Sequence, residues 1–298
     1  MSLPTNLSVP TLTVRYFAFN CLEMRFPTGK TLVVDPCLFK EGHLACGYGV
    51  EDLEGCDYVF LNHSHGDHAA SLGELYDRFH PQIMVHAATS YYLAKFYDIP
   101  YVRFLPFTFN DELDFDDFRI KVVAGRHNNW VPGNFWVRPS GRRDEFCPPE
   151  GERMGPPPSG SELESLLGDL GTAYGSNFLL TTANNLRVGF FAGNTGFSDP
   201  QDRNLWKGLR PDIIFAHRAK PGTFSAEECA EQMATVLEVT GARVLVPIHI
   251  EDAYSGKYDP EDYVNLINRR CEEKGILGRC LFMERGQWYQ FSTFVGKI

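Results

Sequence analysis

Short apolar runs punctuate the chain, with polar or glycine-rich turns between them. Leu32 to Val34, Tyr58 to Leu61, Ile83 to Val85, Ile120 to Ala124, Val188 to Ala192, Ile213 to Ala216 and Val244 to Ile248 have the length and composition of buried strands. Between some of these runs the apolar period changes to that of a helix. Leu72, Leu75, Tyr76 and Phe79 share one helical face. Ser225 with Glu228 makes a capping-box pattern ahead of Cys229, Met233, Val236 and Leu237, and Gly241 closes the run. Asp259-Pro260 predicts an N-cap followed by proline in the first turn, with Val264, Ile267 and Cys271 behind it and Gly275 at the end. Strand and helix patterns alternating over most of the length predict a layered α/β protein. No internal repeat is visible in the sequence.

Residues 131–175 break the alternation. Pro132, Pro139, Pro148, Pro149, Pro156, Pro157 and Pro158 crowd this stretch together with many glycines, and only Ser161, Glu164, Leu166 and Leu167 suggest a short helix inside it. An irregular stretch of that length within a compact domain is usually functional or disordered. The expected organisation is one domain over 1–298, with a Pro/Gly-rich insertion at about 131–175 serving as a lid or substrate loop.

Charge and cysteine usage narrow the setting. A formal net charge of −10 repels polyanions at long range, which argues against a nucleic-acid partner. No apolar run is long enough to predict a membrane-spanning helix, and the first dozen residues lack the basic-then-apolar layout of a secretory signal. None of the eight cysteines stands in a C-x-x-C pair, so they are expected as thiols in a reducing compartment, and the protein as cytoplasmic.

The chemistry concentrates in Asn62-His63-Ser64-His65-Gly66-Asp67-His68, which follows one apolar strand and precedes an amphipathic helix. In extended backbone, residues two apart point the same way, so His63 and His65 can grip one metal together. Asp67 and His68 fall where the chain turns into the helix and can face a second one. Imidazole mixed with carboxylate suits zinc, manganese or iron better than calcium or magnesium.

H-x-H-x-D-H after a strand resembles the signature of the metallo-β-lactamase superfamily. The likeness extends over roughly Val14 to Ile250, and the layout is most similar to the branch containing ascorbate-6-phosphate lactonase and the phospholipase D that cleaves N-acyl-phosphatidylethanolamine. The resemblance implies a four-layer αββα sandwich and a hydrolase that uses a metal-activated water. The substrate would be a small ester, lactone, phosphoester or amide-like molecule, bound beside one or two divalent transition ions, zinc first, then manganese or iron. It further implies that His127, after Ile120 to Ala124, joins His63 and His65 at one ion. His249, in Val-Pro-Ile-His, joins Asp67 and His68 at the other. Asp67 would also serve catalysis by orienting the nucleophile and taking its proton. Asp35, ending the strand that begins at Thr31, matches the family's early aspartate near the metal loop.

The chain departs from the family at Asn194, where an aspartate commonly bridges the two metals. A carboxamide offers one neutral oxygen in place of two anionic ones. The alternatives are a single tightly bound ion, a weak contact or hydrogen bond from Asn194, or a metal- or ligand-binding member without efficient catalysis. Redox chemistry at a di-iron site fits less well, because its ligand sets place acidic residues in the first motif. His217 and Arg218, after Ile213 to Ala216, are candidates to touch a ligand or substrate. With Arg138, Arg142, Arg143, Arg153 and Lys220, Arg218 would favour an anionic small-molecule substrate.

Overall fold

The computed structural model describes residues 11–42, 45–125, 166–167, 175–192, 200–217, 225–250 and 259–292. Within them the strands form two seven-stranded mixed sheets. In the first, β1 (Thr11–Tyr16), β2 (Leu22–Arg25), β3 (Thr31–Val34), β4 (Tyr58–Phe60), β5 (Gln82–His86) and β6 (Phe104–Phe107) lie side by side, and β14 (Trp288–Ser292) pairs with β1. The second runs from β7 (Glu112–Asp114) through β8 (Phe118–Ala124), β9 (Ser176–Thr182), β10 (Arg187–Phe191), β11 (Ile213–His217) and β12 (Val244–Ile248) to β13 (Arg279–Cys280). Each sheet has the same order of pairings, three antiparallel followed by three parallel.

Side-chain alternation along the strands sorts the apolar residues into three cores. Leu32, Val34, Phe60 and Met84 from the first sheet meet Ile120, Val122, Phe178, Phe190, Phe215 and Ile248 from the second. Their neighbours in sequence point the opposite way. Val33, Val59, Leu61, Ile83 and Val85 pack under helices α2 (Leu72–Phe79) and α3 (Ala87–Phe96). Phe191, Ile214, Ala216 and Leu245 pack under α4 (Pro200–Leu209), α5 (Ala226–Thr240) and α6 (Pro260–Lys274). Helices, two sheets and helices make the four-layer αββα sandwich. The mean strand is buried on both faces, which is why the sequence shows continuous apolar runs more than strict alternation.

The helix ends follow their sequence signals. Ser225 Oγ accepts from Glu228 N at 3.2 Å while Glu228 Oε2 accepts from Ser225 N at 2.7 Å, and Gly241 closes α5 at φ 66. Asp259 Oδ1 accepts from Glu261 N at 2.8 Å ahead of Pro260, and Gly275 ends α6 at φ 69. Cys21, Cys37, Cys46, Cys56, Cys271 and Cys280 are buried as free thiols. No helix among the described residues is long and apolar enough to cross a membrane.

Most of the predicted insertion lies outside the described residues, as do His127, Asn194 and Arg218. Its two flanks are described. Gly125 N donates to Gly175 O at 2.8 Å, and a Cβ at Gly125 would come within 2.9 Å of the Gly175 carbonyl, so the close approach requires glycine there. Leu166 and Leu167 are helical, in the place where a short helix is expected.

Candidate metal centre

The first motif sits where β4 ends and the chain turns into α1 (Gly66–Ala69), with His65 as the residue ahead of the helix. His68 N and Ala69 N both donate to His65 O, at 3.0 and 2.9 Å. That turn swings Asp67 and His68 back over the strand end, beside His63. Among the described residues, His63, Asp67 and His68 form a group whose ligand-type atoms all lie within 4.8 Å of one another. His63 and His68 are buried, with ring centroids 3.8 Å apart, whereas His65 and Asp67 are half-buried.

Each buried imidazole is oriented from behind. His63 Nδ1 lies 2.6 Å from Asn62 Oδ1, and His68 Nδ1 lies 2.8 Å from Asp35 Oδ2. An oxygen acceptor at Nδ1 selects the tautomer with its proton there and turns the Nε2 lone pair forward. His63 Nε2 then stands 3.1 Å from His65 Nδ1, and His68 Nε2 stands 3.6 Å from Asp67 Oδ2. Imidazole lone pairs and a carboxylate converging on one small volume suit a divalent cation. A carboxylate or carbonyl behind the ring is the usual support for a metal-binding histidine.

His249 arrives from the other half of the molecule. It follows β12, adopts φ 56, and places Nε2 3.2 Å from Asp67 Oδ2. Its backbone N donates to Phe19 O at 2.6 Å, and its ring stacks on His217 with centroids 4.1 Å apart and planes inclined by 16°. The structure therefore brings together His63, His65, Asp67, His68, His249, Asp35 and His217.

Charge distribution matches this geometry. Burial opposes ionisation of Asp67. The His68 and His249 imidazoles, with His65 further off, outweigh it and hold the carboxyl far below the usual carboxylate range. Asp35 is wholly enclosed, and burial raises its carboxyl above the ordinary value, although His68, Asn62 N and the Asn20 side chain pull it back down.

Three supporting residues carry no role in the sequence reading. Asn62 donates through Nδ2 to Ser176 O, while its own carbonyl accepts from Ser176 N at 2.8 Å, tying the end of β4 to the start of β9. Asn20 packs behind His68 (Nδ2 to Nδ1, 3.3 Å). Ser64 Oγ donates to Leu167 O at 2.5 Å, joining the metal loop to the returning insertion. Amides and hydroxyls of this kind have no distinctive spacing, and only Asn62, next to His63, could have been suspected. His86, which looks incidental in sequence, is buried and accepts from Ala88 N at 3.2 Å as the N-cap of α3.

A model of the metallo-β-lactamase superfamily matches residues 20–175, more than half of the chain. The chain is 30% identical over 105 residues to a metal-dependent hydrolase of Staphylococcus saprophyticus, a match that covers 34% of this chain and 42% of that protein. It thus spans less than half the length of that relative. Its fold is similar to a metallo hydrolase from the archaeon Ignicoccus hospitalis, with a TM-score of 0.61 at 14% identity over 96% of this chain and 100% of the other. It is also similar to a diiron β-hydroxylase from Streptomyces venezuelae, with a TM-score of 0.57 at 13% identity over 94% of this chain and 54% of the other. Likeness at such identities speaks to the fold alone. With the superfamily model running through the entire first motif, the chain belongs to the metallo-β-lactamase superfamily.

Proposed function

We propose that this chain is a metal-dependent hydrolase acting on a small ester, lactone, phosphoester or amide-like substrate, with zinc as the first choice of metal and manganese or iron as the next. The observation that carries the reading is the pair of rear supports. Asn62 Oδ1 behind His63 and Asp35 Oδ2 behind His68 leave the two Nε2 lone pairs forward, one beside His65 Nδ1 and the other beside Asp67 Oδ2. A hydrophobic core gains nothing from that arrangement, whereas a cation site requires it.

In this reading His63 and His65, with His127, bind one ion, and Asp67, His68 and His249 bind the other. A divalent cation held there lowers the pKa of water toward neutrality and polarises the scissile carbonyl or phosphoryl group. Asp67, kept ionised by its histidine neighbours, accepts a hydrogen bond from the attacking water at a carboxylate oxygen. In the role the family resemblance implies, Asp67 would orient that water and take its proton. His217, stacked on His249, would contact substrate, and Arg218 and the arginines of the insertion would favour an anionic one. Seven buried cysteines among the described residues and an acidic net charge fit the cytoplasm.

Elemental analysis of protein purified from metal-replete medium, followed by chelation and reconstitution against a panel of esters, lactones and phosphoesters, tests the proposal. Stoichiometric transition metal and turnover that chelation abolishes are expected. Metal-free protein sinks it. A diiron fold-mate shows that the scaffold also hosts redox chemistry. Three histidines in the first motif favour hydrolysis. The second reading, a metal- or ligand-binding member without efficient turnover, rests on Asn194 and predicts bound metal with no hydrolysis on any panel member.

A further inference from the structure

The tight turn between β1 and β2 touches two of the candidate ligands, His68 and His249. Cys21 N donates to Ala18 O at 2.7 Å to close it, and Phe19 adopts the left-handed region at φ 50. That conformation aims Phe19 O at His249 N, 2.6 Å away, and Tyr16 OH donates to the same carbonyl at 3.2 Å. The Phe19 ring stands edge-on to the His249 imidazole with centroids 5.4 Å apart.

The next residue, Asn20, is fully buried. Its Nδ2 lies 3.3 Å from His68 Nδ1, yet that nitrogen already faces Asp35 Oδ2 at 2.8 Å. Two N–H groups cannot bond each other, so both converge on the Asp35 carboxylate, with which Asn20 shares a hydrogen bond. Asn62 N supplies a further donor to Asp35 at 2.6 Å. The other end of the amide, Asn20 Oδ1, is buried with no partner among the described residues. A buried carbonyl in that state costs stability, a cost that only the donor half of the amide offsets.

We propose that Asn20 is a positioning residue for the cation held by Asp67, His68 and His249. Its amide pins Asp35 against His68 and so sets the plane of that imidazole, while Phe19 in the same turn sets His249. The contacts the turn makes among the described residues fall on His68 and His249, so its influence is expected at the ion those two histidines hold. This inference rests on the metal reading of the site.

Zinc titration against a competing chromophoric chelator tests it, using the wild type, Asn20→Ala, His68→Ala and His63→Ala. Asn20→Ala is expected to weaken the ion that His68→Ala removes by about 10- to 100-fold, the usual effect of losing a support behind a ligand. Where a second ion binds, the one sensitive to His63→Ala keeps its affinity. Asn20→Leu preserves the volume without the donor and is expected to show the same selective loss. Unfolding of the metal-stripped proteins identifies any variant that fails to fold. Unchanged zinc affinity in a folded Asn20 variant, or equal weakening of two ions, overturns the proposal. A wild type that binds no zinc overturns the metal reading itself.

Discussion

His249 Nε2 lies 3.2 Å from Asp67 Oδ2 although 182 positions separate the two residues. One comes from the loop after β4 in the first sheet, the other from the end of β12 in the second. Neither sheet alone presents a complete ligand set, so assembling the site is the same event as packing the two sheets together. Removing either partner should empty the ion they share. His249→Ala and Asp67→Ala are expected to lose that metal and at least about 100-fold in turnover, read by elemental analysis and kcat/KM. Wild-type metal content and activity in His249→Ala would break the link between the two halves.

Asn194→Asp restores a second anionic oxygen where the family has its bridging carboxylate. If Asn194 limits metal loading, the variant gains bound metal per chain and gains activity. Elemental analysis with steady-state kinetics reads both, and lower activity at unchanged occupancy would show that the amide suits this enzyme.

Asn62→Ala removes the support behind His63 and the side-chain bond to Ser176 O. A stability loss of about 1–3 kcal/mol follows from leaving these buried groups without partners. Urea unfolding of the metal-stripped protein measures it, and zinc titration should show weaker binding at the ion that depends on His63. An unfolding midpoint equal to wild type would mean that the bridge between β4 and β9 carries no load.

Phe60 stacks on Phe107 at 5.2 Å and tilts against Phe178 at 4.5 Å between the two sheets, one strand position before the metal loop begins. Phe60→Ala is expected to cost about 3–5 kcal/mol, since the surrounding strands can collapse only partly. Calorimetry or chemical unfolding would detect it. A loss under about 1 kcal/mol would mean that the intersheet core is more plastic than its packing implies.

Alkaline stability should follow the buried thiols. Burial, then the charge of Asp67, pushes the Cys37 thiol from its ordinary 9.0 up to about 12. Burial also raises Cys21, Cys56 and Cys280. A thiol whose folded pKa lies above its unfolded one stabilises the fold fully below pH 9 and loses that contribution as pH climbs through the folded value. Between about pH 9 and 12 the metal-stripped protein should therefore lose roughly tenfold in folding constant per pH unit through Cys37, with the other three thiols acting in the same direction. Cys37→Ala should flatten the decline measured by urea unfolding, and alkylation of Cys37 in the native state at pH 8 should be slow.

β3, β4, β5, β10, β11 and β12 were legible because they are short, apolar and buried on both faces, and β8 showed as the run Ile120 to Ala124, whereas the parallel edge strands β6 and β13 were not read. β1 and β2 were not, because Tyr16 to Phe19 is an unbroken apolar run that conceals the turn between them. β14, half-exposed at the sheet edge, offers no pattern. His63, His65, Asp67 and His68 stood out through spacing, whereas His249 and Asp35 were reached only through the family resemblance. Asn20 and Asn62 stayed hidden, since an amide announces a role only when its three-dimensional neighbours are known. The repeated order of pairings in the two sheets was equally invisible. It places His217, at the end of β11, in the position that the His63 loop holds after β4, yet the two segments share no recognisable sequence. Packing selects apolar residues of suitable size, and many sequences satisfy it.

The hydrogen bond between Gly125 and Gly175 has an evolutionary corollary. The chain departs from β8 and returns to β9 through a single stem, so the span between them is attached as a graft is to rootstock. Past His127 its length can change at small cost in chain entropy, because lengthening a closed loop costs only slowly growing entropy. A lineage could thus retune what it recognises by exchanging the part of this cassette beyond His127, keeping the proposed ligand set.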